Sequence, residues 1–167
     1  MTACAGLKAA GRSFRLLLVG DGAVFTSLKE QVEGLGLQDI TIMTGRVPHE
    51  RVEDYYSLID IAPFPRKPWE VCELVSPLKP YEAMALEKTV VVSSTRALQE
   101  IVTNGKNGLV FAKGNVADLQ QKLDALATGS VNGSALSRQA RTWICQERSW
   151  DVAGKVCCGI YDVVCQK

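Results

Sequence analysis

Short apolar runs alternate along the chain with segments in which apolar residues recur every three or four positions. Phe14 to Val19 reads Phe-Arg-Leu-Leu-Leu-Val, a nearly continuous apolar run that predicts a strand covered on both faces of a parallel sheet. Gly20-Asp21-Gly22 turns the chain. A helix is predicted from Ala23 to Glu33, with Gly34 and Gly36 stopping it. Ile40 to Thr44 is a second strand, and Pro48 opens a short helix with Val52, Tyr55 and Tyr56 on its apolar side. Asp60 to Phe64 is a third strand, ended by Pro65 and followed by a long loop. Tyr81 to Leu86 then reads as a helix, Thr89 to Ser93 as a strand, Ala97 to Val102 as a helix and Gly108 to Phe111 as a fifth strand. Residues 1–11 read as the end of a helix, and 116–127, 135–147 and 150–165 as three more. Gly129 to Gly133 is a polar linker.

Strands and helices in alternation predict one α/β domain over 1–167: a Rossmann-like parallel sheet of about five or six strands, flanked by helices. Ligands of such sheets bind beyond the C-terminal ends of the strands. That singles out four loops, at 20–23, 45–49, 64–81 and 93–97. The composition agrees, with 47% apolar and 22% charged residues, the balance of a globular protein. Nineteen basic against 18 acidic residues leave a net charge of +1, which gives no field to hold nucleic acid or an anionic membrane. No apolar run approaches the roughly 20 residues of a membrane span. Lys8, Arg12 and Arg15 break the apolar N-terminal stretch, so no secretory signal is expected. The six cysteines include no Cys-x-x-Cys pair and His49 is the only histidine, so no metal site is expected. The plain reading is small, buried, reduced thiols in a cytoplasmic protein.

Candidate chemistry lies on the loops. Gly20-Asp21-Gly22 suggests a dinucleotide turn, but Phe25 stands where the fingerprint needs a third glycine. It reads as a structural turn or as one that also lies near a ligand. The stretch from Phe64 to Ala85 says more. Arg66, Lys67 and Lys79 concentrate positive charge, and Ser76-Pro77 is placed to start a turn or a helix whose unpaired N–H groups favour an anion. Glu82 sits one turn further on. A carboxylate beside cations can accept hydrogen bonds from sugar hydroxyls while the cations hold phosphate. The alternative is an i,i+3 surface pair between Lys79 and Glu82. Arg46 reads as solvated or paired, His49 as a surface residue, and Trp143 and Trp150 as packing residues. Glu100 reads as a helix brace or a site residue, and Lys106-Asn107 as a turn.

The order of these motifs resembles the C-terminal domain of the group 1 retaining glycosyltransferases, which have the two-domain GT-B fold. The matching segments are Leu-Leu-Leu-Val-Gly-Asp-Gly at 16–22, Thr-Gly-Arg-Val-Pro at 44–48 and Pro-Tyr-Glu-Ala-Met-Ala at 80–85. They continue with Val-Val-Val-Ser-Ser at 90–94, Glu-Ile-Val at 100–102 and Asn-Gly-Leu-Val-Phe at 107–111. Arg66 with Val-Ser-Pro-Leu-Lys-Pro at 75–80 resembles a bacterial exopolysaccharide-associated branch. The resemblance implies a donor-binding set of Glu82, Lys79, Arg66, Ser76, Leu78, Pro80, Gly45, Arg46, Val47 and Gly22, with Glu82 on the nucleotide ribose. It assigns no catalytic residue. The family carries two acidic residues separated by seven others. Glu82 matches the second, Leu74 stands at the place of the first, and Glu73 is one position away.

The resemblance further implies a nucleotide-diphospho-sugar as donor substrate, with no other cofactor, and an N-terminal acceptor-binding domain as partner. In the family a Gly-Arg…Lys-Gly pair that grips the diphosphate precedes the strand that Leu16 begins here. The chain alone is therefore expected to be inactive. The helix around Trp150, Ile160 and Tyr161 resembles one that packs back toward the partner domain. The full enzyme is expected in the cytoplasm, at the inner face of the plasma membrane, with any peripheral membrane contact made by the other domain. Two alternatives stand beside this: a stand-alone nucleotide-binding module without turnover, and half of a sugar-nucleotide epimerase.

Overall fold

The computed structural model describes residues 1–165. The elements run along the chain as α1 (Thr2–Ala9), β1 (Leu16–Val19), α2 (Phe25–Gly34) and β2 (Thr41–Gly45). A 3-10 turn (His49–Arg51) then runs into α3 (Val52–Ser57). Next come β3 (Ile61–Phe64), α4 (Glu70–Leu74), α5 (Lys79–Ala85), β4 (Thr89–Ser93), α6 (Arg96–Gln99) and β5 (Leu109–Phe111). Three helices finish the chain: α7 (Val116–Ala127), α8 (Gly133–Glu147) and α9 (Trp150–Cys165).

Every ladder is parallel, as the alternating pattern predicts, and helices flank the strands. The expected single sheet is divided, however. β1 pairs with β2 (Leu16 opposite Thr41), while β3, β4 and β5 form a second sheet (Ile61 opposite Thr89, Val91 opposite Leu109). The division explains a further difference. β1 was expected to be covered on both faces, yet Leu16, Leu17 and Leu18 are half-buried and Val19 is exposed. A strand paired along one edge only is not an interior strand. β4 has a neighbour on each side, and all five of its residues are buried.

Side chains alternate across β4 and divide the core in two. On one face Val90, Val92 and Ala62 meet Ala83 and Met84 of α5, Leu98 of α6, Ile101, Val102, and Ala140 and Ile144 of α8. On the other, Val91, Leu109 and Phe111 meet Ala3 and Leu7 of α1, Leu123 of α7 and Leu136 of α8, with Phe14 and Ile61 at the margin. Gly108 sets how closely β5 approaches. A Cβ there would lie 2.7 Å from Val90 Cγ2 and 2.8 Å from Val102 Cγ1, so only hydrogen fits.

The helix ends are well specified. Asn115 and Asn132 cap α7 and α8 by accepting from the Asp118 and Ala135 backbone N–H groups. α5 ends in a Schellman motif. The Glu87 N–H donates to the Met84 carbonyl (3.0 Å) and the Lys88 N–H to the Ala83 carbonyl (2.8 Å). Glu87 is left at φ 57°, the one non-glycine with positive φ among the described residues.

Two packing expectations diverge. Trp143 is half-buried and stacks on Tyr81 at 6.5 Å between centroids. Trp150 was expected to pack and is 92% exposed. It opens α9, of which no residue is fully buried, because no other described element covers its apolar face. The same exposure corrects the thiol expectation. Cys72 is buried, but Cys145, Cys157, Cys158 and Cys165 are exposed, and all six cysteines are free. Among the described residues no helix is long and apolar enough to cross a membrane.

Candidate functional site

The loops after β1 and β2 are brought together. The Gly20 N–H donates to the Gly45 carbonyl (2.9 Å), and the Thr44 hydroxyl donates to the same carbonyl (2.9 Å). Gly45 sits at φ 68°, the left-handed conformation that glycine adopts without steric cost. Arg46 is paired, as one reading of it required: its guanidinium lies 3.5 Å from the Asp21 carboxylate, with both side chains exposed. Gly22, Gly45, Arg46 and half-buried Val47 thus form one group.

The second group lies along the connection from β3 to α5. It is not the plain loop that the sequence predicts, because α4 forms within it. Arg66 was expected as one of the cations that hold phosphate. Its Nη1 donates to the Val75 carbonyl (2.6 Å), closing the connection on itself. The Lys67 ammonium stands 4.8 Å over the Trp69 ring. Ser76-Pro77 does not start α5. That helix begins at Lys79, with Leu78 at the N-cap and no side-chain cap, and buried Pro80 sits in its first turn. Pro80 lacks the N–H that a first turn leaves unpaired, so it suits that position. Ser76, Leu78, Lys79 and Glu82 are exposed. The i,i+3 pair between Lys79 and Glu82 is not formed among the described residues.

Contacts that the sequence pattern did not give complete the picture. The phenol of half-buried Tyr56, on α3, is pushed up to about 12, first by burial and then by the charge and hydrogen bonding of the Glu82 carboxylate. The Arg96 backbone N–H donates to Glu73 Oε2 (2.8 Å), and the Lys113 ammonium donates to Glu73 Oε1 (2.5 Å). These two contacts, the backbone one foremost, hold the Glu73 carboxyl below its usual range. No hydrogen bond or ion pair joins the two groups of loops among the described residues. Glu100 lies 3.9 Å from Arg96, both exposed, as a helix brace, and His49 is on the surface. Asn107 is buried in its turn, accepting from the Thr103 N–H (2.7 Å) and donating to the Ile101 carbonyl (3.1 Å).

The second group can do defined chemistry. An exposed ammonium and an exposed carboxylate within one helical turn offer a cation for phosphate and an acceptor pair for vicinal hydroxyls.

Comparison with known proteins gives a consistent result. The sequence profile of the family described as Glycosyl transferases group 1 matches residues 1–143. The lipopolysaccharide core biosynthesis mannosyltransferase LpsB of Rhizobium meliloti is 31% identical over 140 residues, covering 77% of this chain and 36% of its own length. Among solved structures, a sucrose-phosphate synthase from Thermosynechococcus elongatus superposes with a TM-score of 0.78 at 22% identity, over 99% of this chain and 42% of that one. Anabaena HepE in complex with UDP gives a TM-score of 0.75 at 17% identity, over 96% of this chain and 43% of that one. The chain spans little more than a third of the length of the curated relatives that it matches.

Proposed function

This chain belongs to the group 1 glycosyl transferases and has the α/β architecture of their GT-B structures, and from that premise we propose that it is the donor-binding part of a retaining glycosyltransferase. The donor is a nucleoside diphospho-sugar, with UDP as the first nucleotide to test because HepE was solved with it. The observation that carries the reading is the first turn of α5. It presents the Lys79 ammonium and the Glu82 carboxylate side by side, exposed and unpaired with each other, between the strands β3 and β4.

In this reading Lys79 meets the diphosphate and Glu82 accepts hydrogen bonds from the ribose hydroxyls. As the bond from the sugar C1 to the diphosphate oxygen breaks, negative charge grows on the leaving group. A fixed ammonium stabilises that charge more than it stabilises the ground state. Arg66 closes the connection that leads into α5, with its other nitrogens toward the diphosphate, Ser76 and Leu78 line the approach, and buried Pro80 holds the shape of the first turn. The loops carrying Gly22, Gly45, Arg46 and Val47 flank the nucleotide. The acceptor is held by a separate N-terminal domain, so the chain alone does not turn over. The full enzyme works in the cytoplasm, in polysaccharide or lipopolysaccharide synthesis, the setting of the Rhizobium relative.

Ligand-observed NMR with UDP and uridine tests the assignment. A direct hydrogen bond to a charged group corresponds to roughly 10- to 150-fold in affinity. Lys79→Ala should therefore weaken UDP within that range and uridine much less, whereas Glu82→Gln should weaken both. Equal losses for UDP and uridine in Lys79→Ala would remove the phosphate role, and an absence of any UDP binding would remove the site.

A further inference from the structure

The first N–H groups of a helix have no partner within it and need one from outside. Thr95, at the N-cap of α6, makes no side-chain cap, and its hydroxyl is buried without a partner. The Arg96 N–H is met instead by Glu73, 23 positions away on α4. The other oxygen of the same carboxylate takes the Lys113 ammonium, 40 positions away and just beyond β5. One side chain therefore ties α4 both to the start of α6, past β4, and to the turn past β5.

α4 has few other means of staying in place. Its five residues are too few for a helix that stands alone. Only Cys72 is buried, while Val71 and Leu74 are exposed. One residue past α4, the Val75 carbonyl takes the Arg66 guanidinium, so the β3–α5 connection is fastened at two neighbouring points. Val75 to Leu78 then lead straight into Lys79 and the first turn of α5.

We propose that Glu73, clasped by the Arg96 N–H and the Lys113 ammonium, is the latch that positions the β3–α5 connection and, through it, Lys79 and Glu82. Glu73 and Lys113 are positioning residues. Both carboxylate oxygens of Glu73 are engaged within the protein, one by the Arg96 N–H and one by the Lys113 ammonium, so its main contacts are structural. The consequence for ligand binding rests on the donor-site reading above, but the ordering of the connection does not.

Glu73→Ala, Glu73→Gln and Lys113→Ala in the 167-residue chain test both parts. Amide hydrogen exchange of residues 66–78 reads the latch, and UDP affinity by ligand-observed NMR reads the positioning. Exchange across 66–78 should rise roughly 1.5- to 5-fold, the range expected of an ion pair with solvent access. Glu73→Ala should open it most. Glu73→Gln keeps an acceptor for the Arg96 N–H and should open it less, while the amides of β4 stay unchanged. UDP affinity should fall in the same order. Exchange in 66–78 that matches the wild type in all three variants would overturn the latch. Faster exchange with unaltered UDP affinity would overturn the positioning role. A wild-type chain that does not bind UDP would sink the donor-site reading instead, and the exchange data would still decide the latch. If Glu73→Ala fails to fold, the two milder variants carry the test.

Discussion

Replacing Glu87 with glycine should stabilise the protein, and the backbone shows by how much. Glu87 is the C′ residue of α5, at φ 57°, and both hydrogen bonds of its Schellman motif are formed. The conformation is thus fixed by the helix end and not chosen by the side chain. Arg141 reinforces it by donating from Nη1 to the Ala85 carbonyl at the same helix end. A residue with a Cβ gives up about 1–2 kcal/mol in the left-handed region. Glycine removes that cost but returns about 0.5–1 kcal/mol through the greater freedom of its unfolded chain. The net expectation for Glu87→Gly is a gain of about 0.5–1 kcal/mol, or roughly 1–4 °C in Tm for a chain of this size.

Urea denaturation, monitored by far-UV circular dichroism, should show a higher midpoint at an unchanged slope. Controls separate backbone from charge, because a carboxylate at a helix C-terminus is itself unfavourable. Glu87→Gln removes the charge and keeps the Cβ, and Glu87→Ala removes the rest of the side chain. Asparagine, which tolerates the left-handed region, should fall between these and glycine. If Glu87→Gln or Glu87→Ala stabilises as much as Glu87→Gly, the backbone argument is refuted and charge is the cause.

Packing and titration supply two further expected outcomes. Gly108→Ala should cost about 1–3 kcal/mol, because the new methyl must displace the buried side chains of Val90 and Val102. A urea midpoint equal to that of the wild type would show that β5 can slide off β4 at little cost. Tyr56 should ionise well above the ordinary phenol range in a phenolate absorbance titration. Its raised folded-state pKa makes its contribution to stability full below about 10, the ordinary phenol value, and lost as pH rises toward about 12. Glu82→Gln should advance the Tyr56 titration only in part, since burial is the larger cause, and no change at all would mean that the two side chains do not meet.

Legibility in the sequence tracked the range of the interactions. Thr89–Ser93 is an uninterrupted run of β-branched and small residues, and α7 has Asn115 as its cap, so both elements match their predicted bounds. α4 has no local signature because Pro65 and Pro68 argue for a loop. What holds it is a carboxylate reaching 23 and 40 residues along the chain, and no local pattern announces that. α5 begins at Lys79, two residues before the predicted start at Tyr81, because Pro80 fits inside a first turn and does not mark where the helix opens. In α9 the periodicity predicted a helix over its observed span, yet periodicity marks an apolar face without saying what lies against it. The division into two sheets was hidden for a related reason, since an apolar run shows a strand but not its neighbours. Lys79 and Glu82 were singled out from local charge together with the family pattern. Tyr56, which belongs to a different helix, was noticed only as an apolar contact.

The two separate ladders also imply that local opening is uneven across the molecule. β3, β4 and β5 share a core packed from both faces. β1 and β2 are fastened to it by lighter ties: Phe14 at the core margin, and the Lys8 ammonium of α1 reaching the Gly36 carbonyl (2.6 Å) and Asp39 (2.5 Å). A segment with fewer buried apolar contacts opens at lower free energy than the global transition. The β1–β2 unit should therefore be the first cooperative piece to come away, taking the loops at 20–22 and 45–47 with it. A ligand that touched those loops together with the α5 turn would bridge a firm piece and a looser one. By mass action it would draw the looser piece into the global unfolding unit, raising local protection most in the strands that carry the least of it when unliganded.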